Sequence, residues 1–321
     1  AVTCCEPRSA GKDSTTGHWE LCGVVLDRPF PTYPHGFPPD LVAAFAAATG
    51  RAVIGNVVAS GTAILDRLGD EHVRTGAWIL YTSADSVFQI AAHEAVVPLE
   101  ELYRACEIAR ALLVAPHDVS RVIARPFVGA TGAWRRTGNR RDYSVEPPTT
   151  TLLDALAAAG IARTGVGKVD DLFAGRAITS THTAHNAEGI AHVQRWLDVR
   201  TPGLLFANLV DFDQLFGHRN DTPGFARALA QFDAALPAML DALDDDTLLL
   251  VTADHGNDPT TASTDHAREM VPLLVVGGGV VPGLRPPRTT FADVGATLAE
   301  WFGLDWRGAG TSLLAELRGG A

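Results

Sequence analysis

The stretch Leu204-Leu205-Phe206-Ala207-Asn208-Leu209-Val210-Asp211-Phe212-Asp213-Gln214-Leu215-Phe216-Gly217-His218 is a largely apolar run that ends abruptly in two aspartates and a histidine. A short apolar run that breaks into polar residues reads as a buried strand opening into a loop. The pattern recurs at 248–252, which runs into Ala253-Asp254-His255-Gly256-Asn257-Asp258. Helical periodicity separates and flanks these runs at 152–159, 185–199, 225–243 and 291–302, with a further strand at 272–276. Strands alternating with helices predict an α/β core with a mostly parallel sheet covered by helices. Its site is expected at the carboxyl ends of the strands, where both acidic motifs fall.

Working outward, the first half is less regular. Residues 1–12 show no strand or helix pattern, and 17–26 read as the possible start of a strand. Pro29, Pro31, Pro34, Pro38 and Pro39 punctuate a loop. A helix follows from Asp40 through Leu41, Val42, Phe45 and Ala46 to a stop at Gly50. Residues 77–81 and 122–124 read as strands and 98–113 as a helix, while 129–148, rich in Gly, Pro and Arg, reads as a loop or boundary.

The chain has 321 residues, 46% hydrophobic and 20% charged, enough to bury a substantial core. No stretch approaches the ~20 apolar residues of a membrane span, and no leader pattern opens the sequence. Cys4, Cys5, Cys22 and Cys106 have no zinc-finger spacing, so reduced thiols and a cytoplasmic protein are expected. The net charge of −11 argues against nucleic acid or an anionic membrane as partner. A phosphorylated substrate would therefore need a local cationic pocket.

Asp213, His218, Asp254, His255 and His266 (the last within Thr264-Asp265-His266-Ala267-Arg268-Glu269) form a carboxylate–imidazole set without sulfur. Such donors suit Zn²⁺ or Mn²⁺, and two ions close together stabilise an in-line phosphoryl displacement. An aspartate after a strand is often only a helix N-cap, but the three motifs together are far more specific. Asp213 is the preferred ligand and Asp211 the supporting group. Earlier, in Gly11-Lys12-Asp13-Ser14-Thr15-Thr16-Gly17-His18-Trp19-Glu20, a hydroxyl beside a metal could attack phosphorus; Ser14, Thr15 and Thr16 all qualify by type. The Gly-Lys pair lacks the upstream glycine of a phosphate-binding loop.

The strings GKDSTTGHWE, GFPPDL, IGNVVASGTAILDRLG, YTSADSVFQIAAHEAVVPLEELY, RVIARPFVG, NLVDFDQLFGHR, TADHGNDP and TDHAREMVPLL, in that order, resemble bacterial phosphopentomutases across residues 9–317. The resemblance implies an alkaline-phosphatase-like core at 1–28 and 145–321 and an inserted α/β cap at 29–144. It implies two Mn²⁺ ions, one on Asp213, His218 and His266, the other on Asp254 and His255 beside the nucleophile. The nucleophile position, directly after Lys-Asp, is Ser14, where the family usually carries Thr. Ser83, Asp85, Arg121, Ile123, Arg136 and Lys168 would meet the pentose phosphate, Arg supplying paired donors and Lys a point charge. The implied activity interconverts ribose or deoxyribose 1-phosphate and 5-phosphate through a phosphoenzyme primed by glucose 1,6-bisphosphate.

One departure stands out. Family members carry a buried strand ending in Asp-Ser well upstream of the GKD motif, and that Asp is a metal ligand. Only residues 1–13 precede Ser14 here, and they hold no such element. The expectation is a chain lacking that strand and ligand. The alternatives are a metal-dependent sugar-phosphate hydrolase and a family member that binds sugar phosphate without turnover.

Overall fold

The computed structural model describes residues 1–320 and resolves the chain into two compact units, Ala1–Pro29 with Glu146–Ala321, and Phe30–Val145. Both are mixed α/β.

The first unit opens with β1 (Val2–Cys5), where no regular structure was expected. The reason is non-local: Cys5 lies against Val271 and Val2 against Leu274, so a later strand recruits the segment. Helix α1 (Ser14–Leu21) follows, in place of the strand expected over 17–26. Its cap decides the matter: Asp13 is extended, and its carboxylate accepts from Thr16 N at 3.0 Å and Thr16 Oγ1 at 2.6 Å.

The second unit runs α2 (Pro39–Thr49), β2 (Val53–Val58), α3 (Gly61–Thr75), β3 (Trp78–Thr82), β4 (Val87–His93), α4 (Leu99–Leu112), β5 (Arg121–Val128), β6 (Arg135–Arg136) and β7 (Arg141–Ser144). Its sheet has the order β2-β3-β4-β5-β6, with β7 also on β5. The pairs alternate parallel and antiparallel. Trp78 and Leu80 pack with Phe45 and Cys106 under α2 and α4. Ile79 and Tyr81 face Ile64 and Leu65 of α3. Both faces are covered, which is why β3 and β4 are buried along their whole length.

The chain then returns to the first unit with α5 (Leu152–Ala158), β8 (Arg163–Val166), α6 (Val169–Leu172), β9 (Thr179–Thr181), α7 (Asn186–Val199), β10 (Leu204–Ala207), α8 (Thr222–Asp241), β11 (Leu248–Val251), β12 (Val271–Gly277), α9 (Ala292–Trp301) and α10 (Leu314–Leu317). The expected mostly parallel sheet is found as two three-stranded sheets. One, β10-β8-β9, is parallel; the other, β1-β12-β11, is antiparallel. Strand β12 re-enters from the loop carrying His266 and so runs against β11. Leu273 and Val275 of β12 pack with Cys5, Leu21, Phe291 and Val294, with Phe206, Leu248 and Leu250 at the margin. Among the described residues β10 pairs only with β8 and β11 only with β12. Each keeps a free edge, and these apolar strands are only half-buried. No helix among the described residues is long and apolar enough to cross a membrane.

Candidate active site

Strand β10 does not end in an ordinary helix. A π-turn, Phe212–Phe216, passes into a 3₁₀ turn, Gly217–Arg219. Such widened turns are rare and recur at functional sites. Here the wide turn sets Asp213 and His218 side by side, with His218 Nε2 3.3 Å from Asp213 Oδ2. A Cβ at Gly217 would lie 2.3 Å from Asn257 Nδ2 and displace that side chain, which donates to Asp213 Oδ1 at 2.6 Å.

Strand β11 delivers Asp254 and His255. Gly256 and Ala267 then exchange two backbone hydrogen bonds, of 3.0 and 2.8 Å. That single bridge places His255 beside His266, their rings stacked at 3.7 Å. His266 Nε2 donates to Asp213 Oδ1 at 3.0 Å. Asp213, His255 and His266 thus present ligand atoms all within 4.8 Å of one another. An oxygen–nitrogen set of this kind fits a divalent ion such as Zn²⁺ or Mn²⁺. Two ends of separate sheets therefore converge on one centre.

The charges respond to one another. Burial would raise the Asp213 carboxyl, but the His266 hydrogen bond and the three nearby imidazoles outweigh it and hold it below the usual carboxylate range. Asp254 behaves likewise: burial opposes, and His255 and His18 hold it well below that range. Burial would lower His266, yet its bond to Asp213 raises it.

Helix α1 completes the centre. Ser14 Oγ lies 3.1 Å from His255 Nε2. The helix reaches so close because of Gly17, where a Cβ would stand 1.9 Å from the Asp254 carbonyl oxygen. Four residues after Ser14, on the same helix face, His18 is buried. Its Nδ1 is 2.9 Å from Ser14 O and 3.1 Å from Asp254 Oδ2, and its ring stacks on Phe206 at 5.3 Å. A small cleft beside Ser14 is lined by Lys12, Thr16, Asp254, His255 and Arg268. Lys12 Nζ meets Asp265 Oδ2 at 2.5 Å, and Arg268 donates to Pro7 O at 2.8 Å. These two cations share the cleft lining with the carboxylates of Glu20 and Asp254, and Lys12 is already paired with Asp265.

The remaining candidates fall in three places. Asp211 faces away, exchanging hydrogen bonds of 2.8 and 2.9 Å with Asn186 at the start of α7. Lys168 follows β8 through Gly167, at the strand end that also carries Asp211 and Asp213 on the neighbouring β10. Ser83, Asp85, Arg121, Ile123 and Arg136 belong to the second unit. Ser83 Oγ donates to Asp85 Oδ2 at 3.4 Å in the turn after β3. Arg121 pairs with Asp142 at 3.5 Å, and Ile123, two residues along β5, is 2% exposed. Arg136 on β6 is exposed and lies alongside Gly61. Sequence reasoning passed over His18, Lys12, Arg268 and Asn257. His18 was legible only once α1 was known to be a helix, since helical spacing turns it back to Ser14.

The chain matches the Metalloenzyme superfamily across residues 6–306. It is 56% identical over 313 residues to the phosphopentomutase of Carboxydothermus hydrogenoformans, an alignment covering 97% of this chain and 80% of that one. The phosphopentomutase of Anaeromyxobacter sp. (strain K) is 58% identical over 312 residues, covering 97% and 80%. Among solved structures, a phosphoglycerate mutase of Leishmania mexicana aligns at 19% identity and TM-score 0.44, over 51% of this chain and 39% of that one, too slight a likeness to bear on the fold.

Proposed function

The chain belongs to the phosphopentomutase family, and from that premise we propose that it interconverts ribose or deoxyribose 1-phosphate and the 5-phosphate through a phosphorylated Ser14. The observation that carries the assignment of Ser14 is its 3.1 Å approach to His255 Nε2, within a centre whose donors fit a divalent metal.

Asp213, His218 and His266 would hold one Mn²⁺ and Asp254 and His255 the other, within a core we read as alkaline-phosphatase-like. Bound there, the ions would lower the pKa of the Ser14 hydroxyl and neutralise charge on a transferring phosphoryl group. The chain's own residues do the rest. Ser14 is the first residue of α1, so the helix's free N–H groups and positive dipole end favour a phosphoryl group on its Oγ. His18 and Gly17 hold that helix against Asp254. Lys12, held by Asp265, and Arg268 are the cations of the cleft lining that a phosphate oxygen would meet.

A glucose 1,6-bisphosphate donor would prime Ser14. Phosphorylated Ser14 passes its phosphoryl group to O5 of the 1-phosphate. The resulting 1,5-bisphosphate returns its C1 phosphate to Ser14 and leaves as the 5-phosphate. Lys168 in the first unit, and Ser83, Asp85, Arg121, Ile123 and Arg136 in the second, are proposed to bind the pentose phosphate, with residues 30–145 acting as the cap.

The test loads the chain with Mn²⁺ and glucose 1,6-bisphosphate and follows conversion of ribose 1-phosphate. Activity is expected to disappear on chelation, to return with Mn²⁺, and to fall at least about a thousand-fold in Ser14→Ala and Asp254→Ala. Free phosphate in place of ribose 5-phosphate would make the chain a hydrolase instead. Absence of any product from folded protein would refute turnover.

A further inference from the structure

We propose that Glu20 is a positioning residue that fixes where Ser14 sits. The proposal rests on the functional reading above and assigns Glu20 no contact with substrate.

Glu20 lies six residues after Ser14 on α1 and is 0% exposed. Its carboxylate accepts four hydrogen bonds. Arg8 N donates at 2.9 Å and Ser9 N at 2.7 Å, both from the loop that leads into the nucleophile. Thr290 Oγ1 donates at 2.8 Å and Phe291 N at 2.9 Å, from the turn that starts α9. A buried carboxylate is costly unless its lone pairs are filled, and here they are filled by neutral donors converging from two segments.

The arrangement requires a carboxylate. Oε1 takes Arg8 N, Thr290 Oγ1 and Phe291 N, while Oε2 takes Ser9 N. A glutamine keeps one acceptor oxygen, so its NH₂ would confront an N–H donor. What Glu20 holds is the path to Ser14. Two residues separate Ser9 from Lys12, and Ser9 is itself tied to Leu26 through Oγ at 3.1 Å. Next, Gly11 packs so closely on α1 that a Cβ would lie 2.5 Å from Thr16 Oγ1. The loop, pinned by the helix's own second turn, then delivers Asp13 as cap and Ser14 toward His255. Releasing the pin loosens the entry to α1 while leaving Gly17 against Asp254.

Asp293 supplies the comparison. It is 3% exposed and accepts from Arg288 Nε at 2.7 Å and Thr311 N at 2.8 Å, in the same unit. It makes no hydrogen bond to residues 8–14 and reaches the chain before them only through Arg288, whose backbone pairs with Cys4 and Glu6.

The experiment compares wild type, Glu20→Gln, Thr290→Val and Asp293→Asn by amide hydrogen exchange and by steady-state kinetics on ribose 1-phosphate. Exchange across residues 10–14 should rise about ten-fold in Glu20→Gln, less in Thr290→Val and not at all in Asp293→Asn. Per folded molecule, kcat should drop about a hundred-fold in Glu20→Gln with KM within about three-fold. Exchange in Glu20→Gln that matches Asp293→Asn, or an unchanged kcat, overturns the proposal. If Glu20→Gln does not fold, Thr290→Val decides by the same two readouts. A wild-type chain that transfers no phosphate sinks the functional reading, and the exchange data still decide whether Glu20 holds the loop.

Discussion

At the scale of single residues, Gly17 shows competing effects resolved by magnitude. Alanine in a helix is favoured over glycine by about 1 kcal/mol. The added Cβ, however, would lie 1.9 Å from a backbone oxygen that is fixed at the end of β11. Overpacking against backbone costs about 1–3 kcal/mol, so the clash wins. Gly17→Ala should lower the unfolding free energy in urea, and its kcat should fall about a hundred-fold as Ser14 is pushed from His255. A variant as active as wild type would show that α1 can shift without consequence. Such a glycine is visible in the sequence only as a letter. Its neighbours Asp254 and His255 were readable as ligand types, but which part of the chain approaches them was not.

At the scale of elements, β10 and β11 were legible because each is a short apolar run that stops at a carboxylate. Helix α1 was not, because Ser-Thr-Thr-Gly is a poor helical sequence that Asp13 capping and packing on Asp254 nevertheless hold. The α3–β4 contact carries a pH prediction. His72 is fully buried; its Nδ1 donates to Ala77 O at 2.6 Å, and its Nε2 accepts from His93 N at 2.8 Å. That leaves no place for a second proton. Burial, with the nearby charges of His93 and Arg51, lowers its pKa from 6.5 despite the Ala77 bond. Between that lowered value and 6.5 the unfolded chain binds a proton that the folded one does not. Stability therefore falls as pH drops below 6.5, by at most about 1.4 kcal/mol per unit. Urea unfolding at pH 7.5 and 5.5 should show this loss, and His72→Gln, whose amide can still donate and accept, should flatten it. Equal slopes in both proteins would rule His72 out as the source.

At the scale of the whole molecule, the mixed α/β class followed from alternating runs, but the pairing of strands did not. Sheet partners are set by contacts distant in sequence: β1 lies against β12, and the direction of β12 depends on the turn around His266. The two free edges in the first unit have a further consequence. Leu204–Ala207 and Leu248–Val251 each present unmatched peptide groups along a strand of leucine, phenylalanine and valine, with no lysine or proline to guard it. Concentrated protein should polymerise by adding strands from neighbouring molecules, giving turbid, β-rich assemblies on a timescale that shortens with concentration. Leu205→Lys should delay that onset in light scattering, and an unchanged lag would locate the sticky surface elsewhere. The same strands that bring the acidic residues together would then set the upper limit on how much of this protein a solution can hold.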